Sequence, residues 1–170
     1  SRGIGIKRAA NIQHELTKHA ISVANSIKEE GLAEISLSIS GLGPKASQRW
    51  GEKEGIQNVF MQGAGSLGLK MKRGINKVQA RLHPLSRSSK DVIVIGTDLP
   101  TLCQRDLIEA IEVIKNDQIV LGPSKDGGYW LIGLNKKFVT PLISWPFSGI
   151  PWGTADVLRT TTERAKIAGV

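Results

Sequence analysis

At 170 residues with 40% hydrophobic content, the chain is long enough for one domain with its own core, and its mean hydropathy near zero fits a soluble globular protein. No apolar run approaches the roughly 18 residues of a transmembrane helix, so no membrane association through a span is expected, and the single cysteine, Cys103, excludes an internal disulfide framework and suits a reducing cytoplasm. The net charge of +8 is uneven: residues 55–90 carry seven basic side chains and no acid, a field suited to phosphate. Aromatic residues are too few and too far from this basic run to stack bases, which argues for a small phosphorylated ligand over nucleic acid.

The opening SRGIGIKRAA has neither an initiator Met nor the apolar stretch of a signal peptide, and reads as a cut or processed start. From 7 to 30, apolar residues at 9, 12, 16, 20, 23, 24 and 27 mark one face of a helix ending before Gly31. EISLSIS (34–40) alternates as a strand and GLGP closes it; a short helix around 45–53 precedes a strand at 57–61. Residues 66–82 return to helical spacing, and HPLSRSSK (83–90) is a polar loop. The continuous apolar run of DVIVIGT predicts a central parallel strand covered on both faces. A helix follows from Thr101 or Gln104, with Cys103 expected as a buried thiol beside Leu102 and Leu107. QIVLGP (118–123) and YWLIGL (129–134) are strands, and 154–168 is a last helix. Strands alternating with long helices predict one α/β domain over 1–170, a sandwich with a mostly parallel sheet.

In such sheets ligands bind at the carboxyl ends of the strands. Asp98, in VIVIGTDLP, stands at such an end: it is either a turn former or a ligand for Mg2+ or Mn2+, hard ions that take few protein oxygens and share phosphate oxygens. The stretch GPSKDGGYWLIGL (122–134) predicts a hairpin turn in which Asp126 is also a candidate to face a ligand. Of Tyr129 and Trp130, alternation sends one to the core and the other to a cleft. In SGIPWGTADVL (148–158), Thr154 or Asp156 is a helix cap and Trp152 a candidate cleft residue. QGAGSLGLKMKRG (62–74) matches neither nucleotide-binding glycine fingerprint, but puts Lys70 and Arg73 in the first turns of a basic helix. His14, His19 and His83 are not spaced for a shared metal and read as surface residues.

GTDLP, followed by a helix, a strand, GP-x-x-DGGYWLIGL and PWGT-x-x-VL, resembles the bacterial glycosyltransferase-like proteins of the GT-A superfamily, formerly a domain of unknown function. Some members are linked to arsenosugar biosynthesis, and the fold is shared with molybdenum-cofactor-type nucleotidyltransferases. The resemblance implies a three-layer nucleotide-diphospho-sugar transferase-like fold, here lacking the first strand and N-terminally incomplete. The family opens with a nucleotide loop ending in Lys-Thr/Ser-Arg, of which Ser1-Arg2 match the end. Its Leu-Gly-Glu-Arg-Met stretch appears as Leu67-Gly68-Leu69-Lys70-Met71, without the acid and with Lys70 in place of arginine. Carried over, Asp98 is the metal ligand for Mg2+ or Mn2+ and Asp126 the catalytic acidic group. Arg2 and Lys70 hold phosphate, Gly127, Gly128 and Tyr129 form the substrate loop, and Trp152 and Thr154 close the cleft. The implied reaction is metal-dependent glycosyl transfer from a nucleotide sugar to a small acceptor. The alternatives are nucleotidyl transfer from an NTP to a phosphorylated metabolite, or an inactive nucleotide-binding module.

Overall fold

The computed structural model describes residues 5–82, 89–116 and 119–170. Arg2, His83, Gln118 and most of the 83–90 loop therefore lie outside the described residues. The expected helices are present as α1 (Ile6–Glu29), α2 (Pro44–Lys53), α3 (Leu67–Leu82), α4 (Gln104–Lys115) and α5 (Val157–Ile167). The strands are β1 (Ser36–Ile39), β2 (Asn58–Met61), β3 (Val92–Ile95), β4 (Ile119–Pro123) and β5 (Tyr129–Leu134). The result is a mixed α/β fold.

The strand pairing differs from the single, mostly parallel sheet read from the sequence. β1 pairs with β2 in parallel, while β5 lies between β3 and β4 and is antiparallel to both. β3 is thus not a central parallel strand: its described partner is β5 alone, through Val92 with Leu134 to Ile95 with Leu131. The cause is local. The turn after Pro123 returns the chain as a hairpin, with Ser124 N donating to Gly128 O at 3.0 Å, so β5 fills the position beside β3. A continuous apolar run records burial on both faces and says nothing of strand direction.

Two apolar clusters lie on opposite faces of this three-stranded sheet. One gathers Ala20 and Ile27 of α1, Leu107 and Ala110 of α4, and Leu102 and Leu131; the other gathers Ile75 of α3, Ile132 and Leu134 of β5, Val139 and Phe147. Only the second half of α1 is buried, through Ala20, Ile21, Ala24 and Ile27, where it meets α4; Ile12 stays 47% exposed despite its place on the apolar stripe. Cys103 is exposed, not buried: it is the N-cap of α4, and its backbone N–H donates to Asp106 at 2.8 Å.

A bulge breaks the alternation of β5. Pro123 pairs with Tyr129 and Gly122 with Leu131, leaving Trp130 as the extra residue. Trp130 and Leu131 consequently pack on the α1/α4 face, while Tyr129 packs on the other. Gly122 makes this possible, because a β-carbon there would stand 2.6 Å from the Trp130 ring. Neither aromatic simply alternates between core and cleft; both are packed, on opposite faces.

Candidate active site

Asp98 and Asp126 come to the same end of the three-stranded sheet. The end of β3 is extended by Gly96 N donating to Trp130 O at 2.8 Å, so the Thr97–Leu102 loop emerges beside the start of β5, where the Asp126 turn also lies. This loop is braced by α1. The Thr97 hydroxyl lies 3.4 Å from both Gln13 Nε2 and Thr17 Oγ1, and His19 Nε2 is 2.9 Å from Leu102 O. Leu99 and Leu102 tuck into the core. Asp98, between these anchors, is exposed and makes no hydrogen bond or ion pair with any described residue. No backbone N–H among the described residues bonds the Asp98 side chain in the manner of an Asx turn.

Asp126 is a turn former. Its Oδ1 accepts from the Ser124 hydroxyl and from Gly128 N at 3.1 Å, while Oδ2 bonds to no other described residue. The Ser124 hydroxyl first, and then the Gly128 N–H, hold this carboxyl below its usual range. Gly127, at φ 85°, packs against the backbone of Ala155: a β-carbon would lie 2.1 Å from the Ala155 carbonyl oxygen. Gly127 O in turn accepts from Leu158 N at 2.9 Å. The glycine pair therefore docks the turn onto the start of α5.

The Tyr129 ring meets Trp152 edge-on, with centroids 6.0 Å apart and planes at 77°. Its hydroxyl is buried without a hydrogen-bond partner in bonding geometry, although Thr161 approaches it; burial pushes its pKa up to about 12. Thr154 is satisfied within its own turn, donating to Pro151 O at 2.9 Å and accepting from Asp156 N at 3.3 Å. Asp156, at the N-cap of α5, pairs with Arg159 at 2.9 Å and bonds no helix-end amide through its side chain.

The basic helix α3 is less free than its composition implies. Arg73 donates to the carbonyls of Gln62 and Ala64, bracing the glycine loop, and Lys77 donates to Met61 O at 3.1 Å. Arg81 lies 5.8 Å from the Phe60 ring centroid. Lys70 and Lys72 have no partner among the described residues. Sequence reasoning singled out Lys70 and missed Lys72. The signal for Lys72 was its place four residues after Gly68, on the helix face that meets Phe147 and Trp152.

No described group of three or more His, Cys, Asp or Glu side chains is arranged to hold a metal. Asp98 nonetheless fits a hard divalent ion of the kind that takes one or two carboxylates and completes its shell with water and phosphate oxygens, because its carboxylate is exposed and unpaired.

The chain is a mixed α/β fold that brings two carboxylates to one sheet end, and comparison with known proteins assigns it to a family. The chain belongs to the family of uncharacterized proteins conserved in bacteria, DUF2064, which matches residues 23–154. Among solved structures, the "putative nucleotide-diphospho-sugar transferase" from Desulfovibrio desulfuricans G20 is similar in fold, with a TM-score of 0.72 and 24% identity. The alignment covers 91% of this chain and 64% of that one, so the present chain spans less than two thirds of its neighbour. No curated protein matches. No described helix is long and apolar enough to cross a membrane.

Proposed function

We propose that the chain is a GT-A-type transferase that moves a glycosyl group from a nucleotide-sugar donor to a small acceptor, with Mg2+ or Mn2+ held on Asp98. The observation that carries this reading is the unpaired Asp98 carboxylate, braced from behind by Thr97 and Leu102, at the sheet end that also carries the Asp126 turn. Strand ends of α/β sheets are where such ligands gather. The fold shared with the Desulfovibrio protein supports it. When bound, the ion would supply charge neutralisation at the donor diphosphate.

Within this reading Asp98 holds the ion, and Lys70, with Arg2 on the resemblance alone, pairs with phosphate oxygens. Asp126 would position or deprotonate the acceptor hydroxyl. Its free Oδ2 is suited to accept a hydrogen bond from an acceptor hydroxyl and hold it in place. Gly127, Gly128 and Tyr129 shape the turn, and Trp152 and Thr154 form the wall beyond it.

Calorimetric titration of a nucleotide-sugar panel in Mn2+ tests the proposal. One donor is expected to bind in a metal-dependent manner, and Asp98→Ala to abolish that dependence. Donor binding indifferent to both metal and Asp98→Ala would overturn it, and pyrophosphate release from an NTP would replace it with nucleotidyl transfer.

A further inference from the structure

A cleft of about 390 Å³ lies between the first turns of α3 and the segment 147–152, within the range of roughly 300–1,000 Å³ usual for small-molecule sites. Leu69, Phe147, Ile150 and Trp152 give it apolar walls, Ser148 is at its rim, and Lys72 supplies its charge. Lys72 makes no bond to any described residue, whereas Arg73 and Lys77 on the same helix are committed to backbone carbonyls. No acidic residue occurs from 55 to 90 to neutralise it.

The walls are fixed independently of any ligand. α3 meets the opposite wall through Gly68, where a β-carbon would stand 1.9 Å from the Phe147 carbonyl oxygen and 2.9 Å from Trp152 Nε1. Arg164 of α5 donates to the carbonyls of Ser148 and Gly149, the latter at 3.1 Å, and so pins the rim. Trp152 is held edge-on by Tyr129, the residue that follows the Asp126 turn. One side of the cleft therefore belongs to the same packed unit as the proposed catalytic turn.

We infer that this cleft binds the acceptor, a small molecule with an apolar ring and one oxyanion, the ring lying against Trp152 and the oxyanion pairing with Lys72. The word acceptor rests on the transferase reading; the binding chemistry does not. A ring gains from the indole and from Leu69, which is 47% exposed. An oxyanion gains a charge-assisted hydrogen bond from an ammonium otherwise unpaired. The oxyanion is either a carboxylate or a phosphate, since a lysine accepts both.

The test uses the whole chain, with phenylacetate and phenyl phosphate as probes, benzyl alcohol as the neutral control and inorganic phosphate as the ringless control. The readout is the NMR signal of the Trp152 indole N–H, assigned with Trp152→Phe. Saturable shifts with at least one oxyanion probe are expected, the tighter of the two naming the oxyanion. Both controls should bind at least tenfold more weakly. Lys72→Met, which keeps the apolar stem, should weaken the oxyanion probes about tenfold or more and leave benzyl alcohol unchanged. An unshifted Trp152 signal, equal affinity in Lys72→Met, or inorganic phosphate binding as tightly as phenyl phosphate would overturn the inference. Donor titration of Lys72→Met separates the two proposals: donor binding should persist. Probe binding in a protein that binds no nucleotide sugar would remove the acceptor role.

Discussion

Two glycines of one helix make opposite predictions. Gly68 and Gly74 both lie in α3, where replacing an interior glycine with alanine ordinarily stabilises by about 0.5–1 kcal/mol through reduced backbone entropy in the unfolded chain. At Gly74 the nearest atom to a new β-carbon is Ser38 Oγ at 3.7 Å, an ordinary contact, so Gly74→Ala should realise that gain. At Gly68 the β-carbon would stand 1.9 Å from Phe147 O and 2.8 Å from Phe147 C. Carbon and oxygen need more than 3 Å, so backbone has to move by about 1 Å or more, and overpacking of this kind costs about 1–3 kcal/mol, occasionally more. The propensity gain is common to both. The two variants should therefore differ by the overpacking cost, about 1–3 kcal/mol, which for a domain of this size is a separation of roughly 2–12 °C in Tm. Urea and thermal unfolding measure it. Gly68→Ala should also disturb the Trp152 environment, visible in its indole signal, which Gly74→Ala should leave alone. If Gly68→Ala proved as stable as Gly74→Ala, the close approach of α3 to Phe147 would be wrong, and the cleft walls with it.

Other consequences are equally direct. Tyr129 is the only tyrosine, so phenolate absorbance on alkaline titration reads it alone, and the folded protein should titrate near 12. Because burial raises the folded pKa above the ordinary tyrosine value of 10.0, stability from this group is full below pH 10 and lost as pH rises toward 12, by about 2.7 kcal/mol at most. Tyr129→Phe should remove that alkaline loss and, lacking a buried unpaired hydroxyl, match or exceed wild-type stability at neutral pH; titration near 10 in the folded protein would refute the burial. Asp126→Asn keeps an oxygen that accepts from Gly128 N, so Tm should hold while turnover falls tenfold or more; undiminished turnover would remove Asp126 from the site. Any acid limb that Asp126 adds to the pH–rate profile should lie below the usual carboxylate range, because the Ser124 hydroxyl and the Gly128 N–H favour its charged form. Asp98→Ala, at an exposed unpaired position, should change stability by no more than about 0.5 kcal/mol while abolishing metal-dependent donor binding. Amides on the edges of β1 and β3 that face no described strand should exchange faster than those of β5, which is paired on both sides; equal protection would show that those edges are covered.

The elements were legible where a single period dominates. Leu67 to Leu82 keeps helical spacing and folds as α3, and the DGG hairpin closes as expected through Ser124 and Gly128. Pairing was not legible, because the VIVI of β3 is equally apolar beside a parallel or an antiparallel neighbour, and only the return of β5 decides. The extent of burial along α1 was not legible for a similar reason: periodicity marks the face that α1 offers, not the length over which α4 meets it. Among site residues, Asp98 was legible from its strand end, whereas its freedom from partners was not, since that depends on Thr97 and Leu102 taking the bracing contacts. Lys70 and Lys72 are indistinguishable by composition. They lie about 200° apart on the helix, and only the contact of Gly68 with Phe147 fixes which one enters the cleft.

The bulge at Trp130 links these observations. If 129–131 were regular strand, Tyr129 would share a face with Leu131 and point toward α1 and α4. The bulge instead leaves Tyr129 on the α3 side, where its ring supports Trp152 and its hydroxyl is sealed near Thr161. The unpaired hydroxyl costs about 1–3 kcal/mol, of which the packed Tyr–Trp pair offsets about 0.5–1.5 kcal/mol beyond area burial. One inserted residue, accommodated by the missing β-carbon of Gly122, thus ties the Asp126 turn to the wall of the cleft. Filling Gly122 with alanine should press on the Trp130 ring, push the bulge, and shift Tyr129 and Trp152 together. An indole signal of Trp152 that stays in place in Gly122→Ala, while that of Trp130 moves, would show that the turn and the cleft are independent.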